Sequence, residues 1–300
     1  MGTVLDRSED LRASRTPFVS ATVVRAERPT SAKAGDAAIV LSDGTIEGFV
    51  GGDCAESSVR AHALASLDAR EPVLLRILPE AAVDAPEQPG ALTVHNPCLS
   101  GGSLEIFLEP WIPPALLVVQ GASPVALALR ELGAAAGFST AAASEGVQAD
   151  ATAVIAASHG RDDEAAVLVE AVRSGVPYVG LVASPRRGAG VIGALDLDDE
   201  QRAAIHSPAG LDIGARTPEE IALSILAEIV SIRPRVVAAA PVVAAEPAGE
   251  NGTALDPVCG MTVATVPSSS HLDLDRARTW FCGPGCRDAF AADPASYGAG

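Results

Sequence analysis

"ALLVVQGASPVALALRELGAAAG", Ala115 to Gly137, writes out a strand, a turn and a helix in sequence. Leu116 to Val119 is an unbroken aliphatic run, as expected for a strand covered on both faces. Ser123 can cap the helix, and Pro124 at its first position has a φ already set for it. The pattern then repeats. "FSTAAA" (138–143), "TAVIAAS" (152–158) and "PYVGLVA" (177–183) read as strands, and "RDDEAAVLVEAVRSG" (161–175) reads as a helix closed by Gly175. "TPEEIALSILAEIVSI" (217–232) reads as a helix with Thr217 and Glu220 as a capping box. Ile221, Ile225 and Ile229 lie along one of its faces. Strand–helix alternation of this kind predicts a Rossmann-like parallel sheet with helices on both faces.

The 300 residues hold more than this one domain. The adjacent prolines in "EPWIPPA" (109–115) exclude helix and central strand, so they separate a first domain, 1–112, from the middle one, 113–232. The first domain is predicted to be mixed α/β. Its strands are "FVSATVVRA", "DAAIVLSDGTIEGFVG", "PVLLRIL" and "SLEIFLEP", and its helix is "AESSVRAHALASLDA". A stretch rich in alanine, proline and valine, 233–254, reads as a linker. The last segment, 255–300, is too short for an ample apolar core, which a metal would replace.

The net charge is -17, so phosphate backbones and anionic membrane surfaces are unlikely partners. The first 20 residues lack the apolar core of a signal peptide, and no apolar run approaches a membrane span. A cytoplasmic location is expected, with the five cysteines as thiols or metal ligands rather than disulfides.

Two of those cysteines follow or precede glycine pairs in the first domain. In "GFVGGDCAESSV" (48–59), Gly51 and Gly52 lead through Asp53 to Cys54 at the start of a helix. Asp53 and Glu56 are spaced as a capping box, with Cys54 in the first turn. There the helix dipole and free N–H groups favour a thiolate and bind anions. Cys98 precedes Gly101 and Gly102 in "HNPCLSGGSLEIFLEP" (95–110). A small buried residue in a tight turn is the plainer reading of either cysteine, but their pairing in one domain points to a shared site.

The stretches "GDAAIVLSDGTIEGFVGGDCAESSV" and "NPCLSGG", followed by "VVQGASPVALAL", "ASHGRDDEAAV", "YVGLVASPRR" and "SPAGLDIGARTPEEIALSILAEIV", resemble the motifs of the XdhC/CoxI family and stand in the family's order. The resemblance covers about 21–233. It implies an accessory factor for molybdenum hydroxylases of the xanthine or carbon monoxide dehydrogenase type. Such a factor is a cofactor-binding chaperone rather than an enzyme. It binds the molybdenum cofactor, as molybdopterin or its cytosine dinucleotide, keeps it during sulfuration and passes it to the apoenzyme. The implied partners are the hydroxylase, a cofactor sulfurase and a cofactor nucleotidyltransferase, with a homodimer among the expected assemblies. The family's Gly-Gly-x-Cys-x-Glu motif falls on Gly51, Gly52, Cys54 and Glu56.

The middle domain departs from a dinucleotide fingerprint. Only Gly121 is a glycine, where Ser123 and Ala126 hold the other two positions, and the next strand does not end in an acid. An NAD(P)-dependent oxidoreductase is therefore the weaker alternative. His159 and Asp163 follow a strand end, where such folds bind ligands. Arg186 and Arg187 suit either a phosphate or a solvated turn.

In the last segment, "DPVCGM", "FCGPGC", Phe290 and "DPASY" resemble a YHS domain, related to the treble-clef metal modules. Cys259, Cys282 and Cys286, with His271 as the only nitrogen donor in the segment, are the expected ligands of zinc or another soft metal ion. A metal carrier or sensor acting through this tail is the third reading.

Overall fold

A computed structural model describes residues 3–79, 88–97, 102–158, 163–232, 252–274 and 277–297. The chain divides into two compact units, Met1–Pro113 together with Val236–Gly300, and Pro114–Arg235. The linker read at 233–254 lies outside the described residues up to 251.

The first unit opens with a helix the sequence reading did not expect, α1 (Val4–Ala13), capped by Thr3 with Asp6 completing the box. Its sequence signal is weak because Leu11 is buried while Leu5 is exposed. There follow β1 (Phe18–Glu27), β2 (Ala37–Leu41), β3 (Ile46–Gly48), α2 (Asp53–Ala69), β4 (Val73–Pro79), β5 (Ala91–Asn96) and β6 (Ser103–Trp111). The strands form one mixed sheet in the order β3-β2-β1-β6-β4-β5. All pairs are antiparallel except β4 with β5. Alternation along β1 sorts its two faces. Val19, Ala21 and Val23 join Val59 and Ala63 of α2 in the main core, while Phe18 faces Leu11 and stacks on Trp111.

The second unit holds β7 (Leu116–Gln120), α3 (Pro124–Ala135), β8 (Ser139–Ala142), β9 (Ala151–Ala156), α4 (Glu164–Arg173), β10 (Tyr178–Leu181), α5 (Pro185–Gly193), α6 (Asp199–Ala203), β11 (Ile205–His206) and α7 (Pro218–Ile232). Its five strands are all parallel, in the order β11-β10-β9-β7-β8. Every residue of β7 is buried, as its aliphatic run requires. Leu117 and Val119 face the core under α3 and α7, and Leu116 and Val118 face the core under α4. Ser123 caps α3 through the Ala126 N–H, and Ile225 and Ile229 of α7 are fully buried. This is the Rossmann-like layer structure expected from the sequence. One half-buried carboxylate ties α7 to the sheet. Glu228 accepts bonds from Tyr178 Oη at 2.5 Å and from the Gly210 N–H at 2.7 Å, and lies 2.9 Å from His206 Nδ1.

The C-terminal stretch forms two small hairpins and a helix: β12 (Thr253–Leu255) with β13 (Thr262–Ala264), β14 (Ser270–Leu274) with β15 (Ala277–Phe281), and α8 (Pro284–Ala292). Phe290 packs on Phe281 and Tyr297. The segment read as a module of its own is seated on α2. Ala264 and Val266 share a buried cluster with Ala61 and Leu64, and Ser268 Oγ donates to the Asp43 carbonyl at 2.9 Å.

Candidate cofactor and metal site

The start of α2 is built by its two glycines. Gly51 has φ +140°, and a Cβ there would lie 2.8 Å from Ala55 Cβ, so the turn into the helix requires glycine. The N-cap is Gly52, not Asp53 as the capping-box spacing suggested, and no side chain caps the helix. Asp53 is instead the first helical residue and Cys54 the second. The reason is local: the extended backbone that precedes the helix is already in place at Gly52, so Asp53 enters with helical geometry. A side chain at Gly52 would point into open space. The first turn of α2 therefore offers backbone N–H groups without a capping side chain, beside a thiol. Glu56 lies one turn into the helix. Burial pushes its carboxyl above the usual range and Asp53 adds to the shift, while Arg60 opposes it. Gly102 serves packing, because a Cβ there would fall 2.0 Å from the Pro29 carbonyl oxygen. Cys98 and Gly101 lie outside the described residues.

The three tail cysteines converge. Cys282 Sγ lies 3.6 Å from both Cys259 Sγ and Cys286 Sγ. Asp256, rather than His271, is the fourth member of the group. One carboxylate oxygen and the three sulfurs lie within 4.8 Å of one another. His271 is turned away on β14, with Nδ1 2.9 Å from the Ser269 carbonyl oxygen and its ring against Trp280. The missed signal was the Asp of "DPVCGM", which can turn back on the N–H groups that follow it. Its Oδ1 accepts from Val258 N–H at 2.8 Å and Cys259 N–H at 3.4 Å, and its Oδ2 accepts from Cys282 N–H at 2.8 Å. Asp256 thus fixes both cysteine turns. Tetrahedral zinc with bonds of about 2.3 Å would set its sulfurs roughly 3.8 Å apart, so the observed spacing fits such an ion. A hydrogen bond from Cys282 holds the Cys259 thiol below its ordinary value, and burial pushes Cys286 up to about 12.

The two sites adjoin. Cys54 packs against the cluster formed by Met261, Val263 and Cys282, together with Cys259 and Cys286. Its thiol interacts directly with that of Cys282.

Two family models match the chain, "XdhC and CoxI family" over 11–77 and "XdhC Rossmann domain" over 117–229, together more than half of it. The chain belongs to the XdhC and CoxI family. The first match includes the Gly-Gly-Asp-Cys turn, and the second takes in the parallel sheet of this XdhC domain from the second residue of β7 onward. An Escherichia coli relative, "Uncharacterized protein YqeB", is 27% identical in an alignment of 261 positions that covers 77% of this chain. The match spans 46% of the relative, so the chain covers about half its length. A solved Bacillus halodurans protein described as a xanthine dehydrogenase is 18% identical with a TM-score of 0.37, over 80% of this chain and 98% of that one.

In the XdhC Rossmann domain, β7 and β9 are neighbours while β8 lies to the far side of β7, so the strand order reverses at their carboxyl ends. Gly121 stands there with φ +103°, and a Cβ would meet the Ala157 carbonyl oxygen at 2.7 Å. Gln120 Nε2 donates to Asp163 Oδ1 at 2.7 Å across this crevice. His159 lies outside the described residues. Arg187 is not free for a phosphate, because it pairs with the buried Glu164, to which Ser158 Oγ also donates at 2.9 Å. Arg186 is exposed. Among the described residues, no helix is long and apolar enough to cross a membrane.

Proposed function

We propose that this chain is a maturation factor that holds the molybdenum cofactor at the N-terminus of α2 and passes it to a molybdenum hydroxylase of the xanthine or carbon monoxide dehydrogenase type. The observation that carries the reading is the placement of the family's Gly-Gly-x-Cys-x-Glu residues. Cys54 stands in an uncapped first helical turn, beside a glycine whose Cβ side is open. That donor set fits the cofactor, which joins a sulfur-bound metal to an anionic phosphate or dinucleotide. When bound, the cofactor supplies the metal centre that the hydroxylase needs. The work of the chain is to bind and to release. Cys54 offers a thiolate, and the N–H groups of the first turn, which no side chain caps, receive anionic charge.

Sulfuration of the held cofactor by a partner sulfurase, earlier loading by a nucleotidyltransferase, and a homodimeric assembly belong to the same proposal. The tail holds a zinc or similarly soft ion between Cys259, Cys282 and Cys286. The nicotinamide alternative has little in its favour. The Ser123 hydroxyl is engaged as a helix cap, and Ala126 is fully buried under the sheet.

The test is transfer. The purified chain, loaded with cofactor and mixed with a cofactor-free hydroxylase of this type, should restore the hydroxylase's activity, and Cys54→Ser should not. Equal activation by the variant would remove Cys54 from the reading, and no activation by either protein would remove the transfer function.

A further inference from the structure

We infer that Cys54 is the fourth ligand of the tail ion, so that Cys54, Cys259, Cys282 and Cys286 form a single four-thiolate site that joins the C-terminal module to α2 and masks Cys54 while the ion is bound. The masking matters for cofactor binding only if the proposed function holds, whereas the ligand set stands on its own geometry.

Three sulfurs are already spaced at 3.6 Å along two edges of a tetrahedron. Structural zinc needs a fourth ligand to close the shell. Asp256 is poorly placed to be that ligand, because its two oxygens are committed to three backbone N–H groups of the cysteine turns. It has the position of a carboxylate that orients ligands from behind. His271 is engaged with the Ser269 carbonyl and lies outside the group. Cys54 also stands outside the four atoms that lie within 4.8 Å of one another, but unlike His271 it packs on the cysteine cluster and interacts with Cys282, so it is the thiol that closes the shell when an ion draws the sulfurs together.

The surrounding contacts hold it there. Gly283, next to Cys282, has extended backbone that any residue could adopt, but a Cβ on it would lie 2.9 Å from Asp53 Cβ. Its lack of a side chain is what lets the tail turn and the start of α2 come together. Behind this contact, Ala264 and Val266 are buried against Ala61 and Leu64. Two uncapped helix N-termini, those of α2 and α8, flank the site with partial positive charge, which offsets the excess negative charge of four thiolates around a divalent ion.

The experiment uses the full chain, freed of metal by a chelator and reloaded with one equivalent of Zn2+. X-ray absorption at the zinc edge should show four sulfur neighbours at about 2.3 Å in the wild type. In Cys54→Ser it should show three sulfurs and one lighter atom. In parallel, alkylation of Cys54 in the wild-type chain, followed by mass spectrometry, should slow at least about tenfold when zinc is added, since a ligated thiolate is withdrawn from reaction. Three sulfurs in the wild type, an unchanged sulfur count in the variant, or equal alkylation with and without zinc would each overturn the inference. Failure of the cofactor proposal would look different: the metal-free chain would retain no pterin, while both of these readouts kept their expected values.

Discussion

Gly283 and Asp53 are 230 positions apart in sequence but adjoin in space, since a single added methyl group on Gly283 would come within 2.9 Å of Asp53 Cβ. The contact lies between the turn that presents Cys282 and the turn that presents Cys54. It makes the C-terminal module part of the first unit and brings the motif thiol to the metal-ligand cluster.

Gly283→Val should therefore separate the two turns while leaving all three tail cysteines in place. Overpacking at a close contact costs about 1–3 kcal/mol. Hydrogen exchange should rise over the first turns of α2 and over Cys282 to Cys286, with no change across the parallel sheet. Unchanged protection at the start of α2 would mean that the contact contributes nothing.

Asp256 shapes the metal site without needing to enter it. Asp256→Ala removes the acceptor for three N–H groups and frees both cysteine turns. Zinc affinity, measured by competition with a coloured chelator, should fall about 10–100-fold. A loss of the whole site would instead make Asp256 a direct ligand.

Arg187 is a structural residue of the Rossmann domain. Its guanidinium is partly exposed, but its partner Glu164 is buried. Arg187→Ala removes the opposite charge from that buried carboxylate, which keeps its bond from the Ser158 hydroxyl, and should destabilise the second unit by on the order of 3 kcal/mol. Glu164→Gln in the Arg187→Ala background should recover much of the loss in thermal melts. No recovery would show that the arginine acts through packing alone.

The elements that were legible in the sequence are those whose local signals agree with their packing. β7 is aliphatic at every buried position but its last, and α7 carries a capping box and an isoleucine stripe that is in fact its buried face. Short or irregular elements were not legible. α1 buries little more than Leu11 and Ser8, and α5, from Pro185, begins in residues that read as a turn. The site was legible one cysteine at a time. Asp256 was passed over because its role lies in backbone N–H groups of Val258, Cys259 and Cys282, and no spacing rule records the last of these. The meeting of Cys54 with Cys282 depends on how the tail seats on α2, through small residues such as Ala61, Ala264 and Gly283 that carry no signal of their own.

His62 gives the first unit an acid sensitivity. It is partly buried on α2, and burial pushes its imidazole from 6.5 down to about 4. The folded state thus resists protonation that the unfolded chain accepts. The stability is fully present above about pH 6.5 and is lost as the pH falls toward 4. At pH 5 the loss should reach up to about 2 kcal/mol. Chemical denaturation of the wild type and His62→Gln at pH 7.5 and pH 5 should show a smaller acid loss in the variant, and equal losses would assign the sensitivity elsewhere.

The central claim is that Cys54 holds the molybdenum cofactor. Its most direct test is the molybdenum and pterin content of the chain, purified without added zinc from cells that make the cofactor, compared with that of a folded Cys54→Ser variant. The account predicts bound molybdopterin in the wild type and a loss of most of it in the variant, with unchanged circular dichroism. Equal pterin and molybdenum in both proteins would contradict it.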